Sequence, residues 1–234
     1  MLDQVNIHFD LQTSFVLLIL IGLEAVLSAD NAIALAAIAQ GLKDAKLQNF
    51  ALNIGLLLAY ILRVTLILTA TWVVKYWQFE LLGAAYLLWL VFNYFTSDSE
   101  EDKLSSHHNL GFKSLWQTIP LIAVTDLAFS LDSVTTAIAV ADQTWLIILG
   151  GTIGIITLRF LAGLFIKWLE EYTHLEDAGF ITVGFVGLRL LLKVIYPQFL
   201  PPEWLMIVFI IGMFTWGFSE KNISEEEKII INDD

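Results

Sequence analysis

The sequence predicts an all-α, polytopic membrane protein with seven transmembrane helices, arranged as two inverted three-helix repeats plus one extra helix. Three observations predict it. Hydrophobic residues make up 57% of the 234 residues and mean hydropathy is +0.73, above what soluble domains carry. The apolar runs are long enough to cross a hydrocarbon core, which needs about 20 helical residues. A pair of acids set in apolar sequence occurs twice, Glu24 with Asp30 and Asp126 with Asp132.

The spans fall near residues 14–40, 51–74, 79–95, 115–140, 144–168, 178–196 and 203–219. The first carries Glu24, Ser28, Asp30 and Asn31. It lacks a basic leading region and a small-residue cleavage site, so it reads as a retained span and not as a secretory signal. The second holds Asn53 and Arg63, and the short third opens at Gly83. The fourth carries Asp126, Ser130, Asp132 and Ser133; the fifth carries Gly150, Gly151, Gly154 and Arg159; the sixth opens with Gly184 and contains Arg189. The seventh has Met206 and Met213 but no lysine, which excludes a retinal Schiff base. Trp72, Trp77, Trp116, Trp145, Trp168 and Trp204 fall near span ends, as an interfacial aromatic belt requires. With short connections, residues 1–219 read as a single transmembrane domain, and residues 220–234 as an acidic, disordered cytoplasmic tail.

Charge sets topology and excludes partners. The formal net charge is −12, concentrated in residues 98–102, residues 170–177 and the tail, so no basic face exists for nucleic acid. The lysines lie in connections or at span ends and read as topology anchors. With the N-terminus outside, inner segments hold Lys43, Lys46, Lys103, Lys113, Lys167, Lys221 and Lys228, against Lys75 and Lys193 outside. The positive-inside rule then puts the N-terminus outside and the C-terminus in the cytoplasm, and the expected location is the cell inner (plasma) membrane as a multi-pass protein. The absence of cysteine removes disulfides, thiolate ligands and thiol chemistry.

The repeat follows from aligning Glu24 with Asp126, which also aligns Ser28 with Ser130 and Asp30 with Asp132. Gly55 precedes Arg63 by eight residues, and Gly151 precedes Arg159 by the same number. The halves therefore read as residues 14–95 and 115–196. Three spans per half is an odd number, so the second half enters the membrane from the opposite side. Secondary transporters built this way place their substrate near the midplane at the repeat interface.

An ionised side chain at bilayer depth costs roughly 2.5–3.5 kcal/mol on insertion scales, so four acids need a reason, and the default reason is a cation path. On a continuous helix Glu24, Ser28 and Asn31 share a face, as do Asp126, Ser130 and Ser133. Asp30 and Asp132 point about 120° away from their partners on the same geometry. If all four acids contact one ion, the helices must break near residues 28–31 and 130–133. The competing reading is neutralisation in buried ion pairs, Glu24 or Asp30 with Arg63 and Asp126 or Asp132 with Arg159. Spans without histidine or cysteine offer oxygen donors only, which favours a hard divalent cation such as magnesium, calcium or manganese, with sodium and protons still open. Asn53 is a further candidate lining residue. The acidic loop 98–102, with His107 and His108, reads as a solvated surface more readily than as a metal sampler.

The segments GLEAVLSADNAIALA and TDLAFSLDSVTTAIAV resemble the TerC family of integral membrane proteins, with the triads Asp30-Asn31-Ala32 and Asp132-Ser133-Val134 each preceded by an acid. The resemblance spans residues 11–219. It implies a seven-helix transporter fold related to the LysE-type exporters and, as in several bacterial members, manganese export from the cytoplasm. It also implies Glu24, Asp30, Asn31, Asp126 and Asp132 as metal ligands; the helix faces and buried charges add Ser28, Ser130, Ser133, Asn53, Arg63 and Arg159 as candidates for supporting or ion-pairing roles. The expected activity is transport and not catalysis, with no cofactor, the divalent metal as cargo, and possible coupling to protons through the same acids. Oligomeric state is not expected to be legible. Two readings from other classes compete. An assembly or partner-binding protein would dock through its acidic tail, and an intramembrane aspartyl enzyme would use Asp30 and Asp132 as a dyad.

Overall fold

The computed structural model describes residues 11–73, 75–96, 114–141 and 143–222, except for the side chains of residues 11–13, 23, 25–27, 29–30, 71 and 203. The loop 98–102, His107, His108 and most of the acidic tail lie outside the described residues. Seven α-helices occur among those described: α1 Leu11–Gln40, α2 Ala45–Val73, α3 Trp77–Thr96, α4 Leu115–Val140, α5 Thr144–Glu171, α6 Leu175–Ile195 and α7 Glu203–Gly217. A 3-10 turn, Pro197–Phe199, joins α6 to α7. Five helices are long and apolar enough to cross a membrane, α2 to α6, while α7 and the segment Asn31–Gln40 of α1 are shorter apolar helices. The protein is an all-helical, multi-pass membrane protein, and no strand occurs among the described residues.

The helices form because apolar residues dominate each run and hydrocarbon leaves a backbone no partner but itself. Punctuation sets their ends. Gly41 follows the last turn of α1, and the Asp44 carboxylate accepts a hydrogen bond from the Lys46 backbone N–H at 2.8 Å, capping α2. Pro197 stops α6, and Pro201 and Pro202 precede α7. Large apolar side chains left on the outside, such as Leu68, Phe92, Phe160 and Ile211, face where lipid would lie.

Packing is pairwise. Helix α1 lies chiefly against α5, α2 against α4 and α3 against α6, with α1 also touching α4 and α2 also touching α5. Tyr94 of α3 stacks on Phe180 of α6, ring centroids 3.7 Å apart. Two apolar clusters fill opposite ends. One joins late α1, from Ala32 to Ala39, and Leu42 just beyond it to the early part of α2, to Ile122 and Ala123 of α4 and to the late part of α5. The other joins Leu20 of α1 to Leu66 and Ala70 of α2, Val134 and Ala137 of α4 and Leu146 of α5. Early α1 therefore meets late α4 and late α1 meets early α4, so the two helices run antiparallel.

Beyond α7 the chain returns to the α5–α6 turn. Asn222 N–H donates to the Glu171 carbonyl at 2.8 Å and Thr173 N–H to the Glu220 carbonyl at 3.1 Å, forming a bridge between Tyr172 and Lys221. Lys221 also donates to the Glu171 carboxylate, and that hydrogen bond holds its ammonium above the ordinary lysine value.

Candidate functional site

Between the two apolar clusters lies a charged layer. Glu24 sits between Leu20 and Ala32 in α1, Arg63 between Ala59 and Leu66 in α2, and Asp126 between Ala123 and Val134 in α4. Arg63 spans the layer: Nη1 reaches Glu24 Oε2 at 3.1 Å and Nη2 reaches Asp126 Oδ1 at 3.0 Å. Asp126 is fully buried and Arg63 is 2% exposed, so water does little of the solvation and the groups solvate one another. The planar fork suits the task, since two of its nitrogens serve two carboxylates on different helices. Gly154 of α5 closes the layer; a Cβ there would stand 2.8 Å from Glu24 Oε2.

The serines act locally. Ser130 donates to the Asp126 carbonyl at 2.8 Å and lies 3.3 Å from Asp126 Oδ2, one turn away on the same face. Ser133 donates to the Ser130 carbonyl and stands beside Glu24. Ser28 and Asn31 are buried in α1.

Asp132 belongs to a second cluster. Its Oδ2 accepts from Arg189 Nη1, its Oδ1 accepts from Lys193 Nζ at 3.0 Å, and Lys193 continues to Glu80 of α3 at 3.1 Å. Helix α4 is unbroken through residues 130–133, so the break that one ion held by all four acids would require there does not occur, and Asp132 stays turned away from Asp126. Because α1 and α4 are antiparallel, six residues beyond Glu24 and six beyond Asp126 lead in opposite directions, about 9 Å each. Asp30 thus occupies the turn of α1 toward Gln40, and its side chain is outside the described residues. Among the described residues no three acids or histidines come together to hold a metal.

Three further expectations change. Arg159 pairs with neither Asp126 nor Asp132; its Nε donates to Asn53 Oδ1 at 2.6 Å and its Nη2 to Asn49 Oδ1 at 3.0 Å. Asn53 accordingly faces α5 on the outside of α2, about 80° round the helix from Arg63 by the 100° rotation per residue. Lys193 is not merely a topology anchor, since it holds Asp132 and Glu80 together. Arg189 and Lys193 are the functional candidates the sequence reading missed. Their spacing of four residues on one helix face was the available signal.

The chain matches the integral membrane protein TerC family over residues 9–224. It belongs to that family. It is 35% identical over 176 residues to the uncharacterized membrane protein YceF of Bacillus subtilis (strain 168), covering 73% of this chain and 68% of that one. With YkoY of the same organism it shares 34% over 198 residues, 78% of this chain and 61% of the other. The thylakoid membrane protein TERC of Arabidopsis thaliana is 26% identical over 198 residues, covering 73% of this TerC-family chain but about half, 52%, of its own length. No solved structure matches the chain.

Proposed function

We propose that this TerC-family protein exports a hard divalent cation, most readily manganese, from the cytoplasm of a cell bounded by its inner membrane. The observation that carries the reading is the central layer. Glu24 and Asp126, corresponding acids of the two halves, meet at one buried guanidinium near the middle of the bundle. An inverted repeat is supported by the packing, because exchanging α1, α2 and α3 for α4, α5 and α6 turns the α1–α5 pair into the α2–α4 pair and returns the α3–α6, α1–α4 and α2–α5 pairs to themselves. Alternating access then follows from the two halves rocking about the central layer, with α1 and α7 completing a seven-span bundle whose N-terminus is outside.

Arg63 acts in this reading as a resident counter-cation. Two carboxylates and one guanidinium leave the layer with one net negative charge, and a divalent ion added without change would reverse it. Cation entry therefore requires Arg63 to leave at least one carboxylate, which couples loading to a rearrangement of α2 against α1 and α4. Asp30 and Asp132, displaced toward opposite ends, serve as the acids met on the way in and out. Proton coupling through the same carboxylates is part of the proposal; transport independent of pH in sealed vesicles would remove it.

The test is cellular manganese content and manganese tolerance in cells lacking their own exporter. The native chain should lower manganese, while Glu24→Gln, Asp126→Asn, Asp30→Asn and Asp132→Asn, each at equal membrane abundance, should not. Unchanged manganese with the native chain would remove manganese as the cargo.

A further inference from the structure

Of the three arginines within spans, Arg63 meets two carboxylates and Arg189 meets Asp132, whereas Arg159 meets two neutral amides and, among the described residues, no acid. It lies twelve residues before the end of α5, about 18 Å of helical rise from that end. Its guanidinium reaches along α2 from Asn53 to Asn49 toward the α2 N-terminus, while Nη1 lies over Gly163, where a Cβ would come within 3.0 Å. This is a snorkelling arginine directed at one membrane surface, with a planar fork suited to a phosphate.

The groove beside it has a volume of about 360 Å³, with walls formed by Leu56, Leu57, Ile155 and Ile156 and a polar floor where the hydroxyls of Tyr60 and Thr152 lie 3.0 Å apart. Leu57 and Ile156 are 57% and 65% exposed, and neighbouring Phe160 is 73% exposed, so the groove opens onto the lipid-facing side. We propose that the groove between α2 and α5 binds one anionic glycerophospholipid, its phosphate on Arg159 and its acyl chains along Leu57 and Ile156. Lys43 and Lys46, exposed at the same end of α2, add attraction for an anionic headgroup.

The charge pattern selects this occupant. Helix α2 contains no acid and α5 none before Glu170, so a second copy presenting the same face would set arginine against arginine. A free phosphate would gain nothing from the apolar walls. Lipid supplies both halves of what the groove offers.

The test uses the full chain purified in detergent, with mixed micelles of phosphatidylglycerol, of phosphatidylcholine, or detergent with inorganic phosphate, read by thermal unfolding and by native mass spectrometry. Phosphatidylglycerol at a hundredfold excess over its dissociation constant should raise the folded-to-unfolded ratio about a hundredfold and appear as one bound lipid per chain. Arg159→Gln, and Ile156→Trp, which fills the groove and leaves the charge in place, should both lose that gain. If Arg159→Gln does not fold, Ile156→Trp carries the comparison alone. Equal gain in Ile156→Trp, equal gain from phosphatidylcholine or inorganic phosphate, or a native dimer that Ile156→Trp dissociates would each overturn the proposal. None of these readouts depends on metal transport.

Discussion

Two carboxylates and one guanidinium packed within the helix bundle make Arg63 the residue whose loss is felt most. Arg63→Gln leaves Glu24 and Asp126 facing each other without a cation, and removing one partner from such a buried set costs about 3–5 kcal/mol. Arg63→Lys keeps the charge on a single point and should recover only part of that, since it cannot serve two carboxylates in the same fixed geometry. Chemical denaturation of Arg63→Gln, Asp126→Asn and the double variant checks the coupling: the double variant should lose less than the sum of the singles, and simple additivity would mean the pair contributes nothing. Asp132→Asn should be milder, because its carboxyl is 14% exposed and Lys193 keeps Glu80 as a partner. That Asp126 and Asp132 diverge was legible from six residues of spacing. Which cation each would find was not, because ion pairs between distant helices leave no trace in local sequence.

At the scale of the element, α4 shows why acids six residues apart do not meet at one point. Ser130, a candidate site for a break, folds its hydroxyl back onto the Asp126 carbonyl, a bond compatible with continuous helix. The paired glycines give a sharper test. A Cβ on Gly55 would lie 2.7 Å from Ile122 Cγ2, whereas one on Gly151 would lie 3.5 Å from Arg63 Cδ, an ordinary contact. Gly55→Ala should therefore destabilise by about 1–3 kcal/mol and Gly151→Ala should be near neutral, measured as unfolding in detergent. Gly154→Ala presses on the Glu24 carboxylate and should depress metal export more than it depresses stability. Sequence alignment made Gly55 and Gly151 equivalent; only the packed helices reveal that one abuts a β-branched side chain and the other a flexible arginine stem.

For the whole molecule, the proposed topology puts the α1–α2 connection in the cytoplasm and the α2–α3 connection outside. The chain lacks cysteine, so a single introduced thiol is unambiguous. Tyr76→Cys, exposed between α2 and α3, should react with a membrane-impermeant maleimide in intact cells, and Lys43→Cys, exposed between α1 and α2, only after permeabilisation. The opposite pattern would overturn that topology. The sequence by itself determined the helical, membrane-spanning class, the positions of the helices and the twofold recurrence of the acids, because these follow from local hydropathy and spacing along one chain. The tertiary structure decided that Glu24 and Asp126 share Arg63, that Asp132 takes Arg189 and Lys193, and that Arg159 turns outward to Asn49 and Asn53. Those choices depend on which faces of antiparallel helices come together, and a buried charge is satisfied by whatever lies across from it.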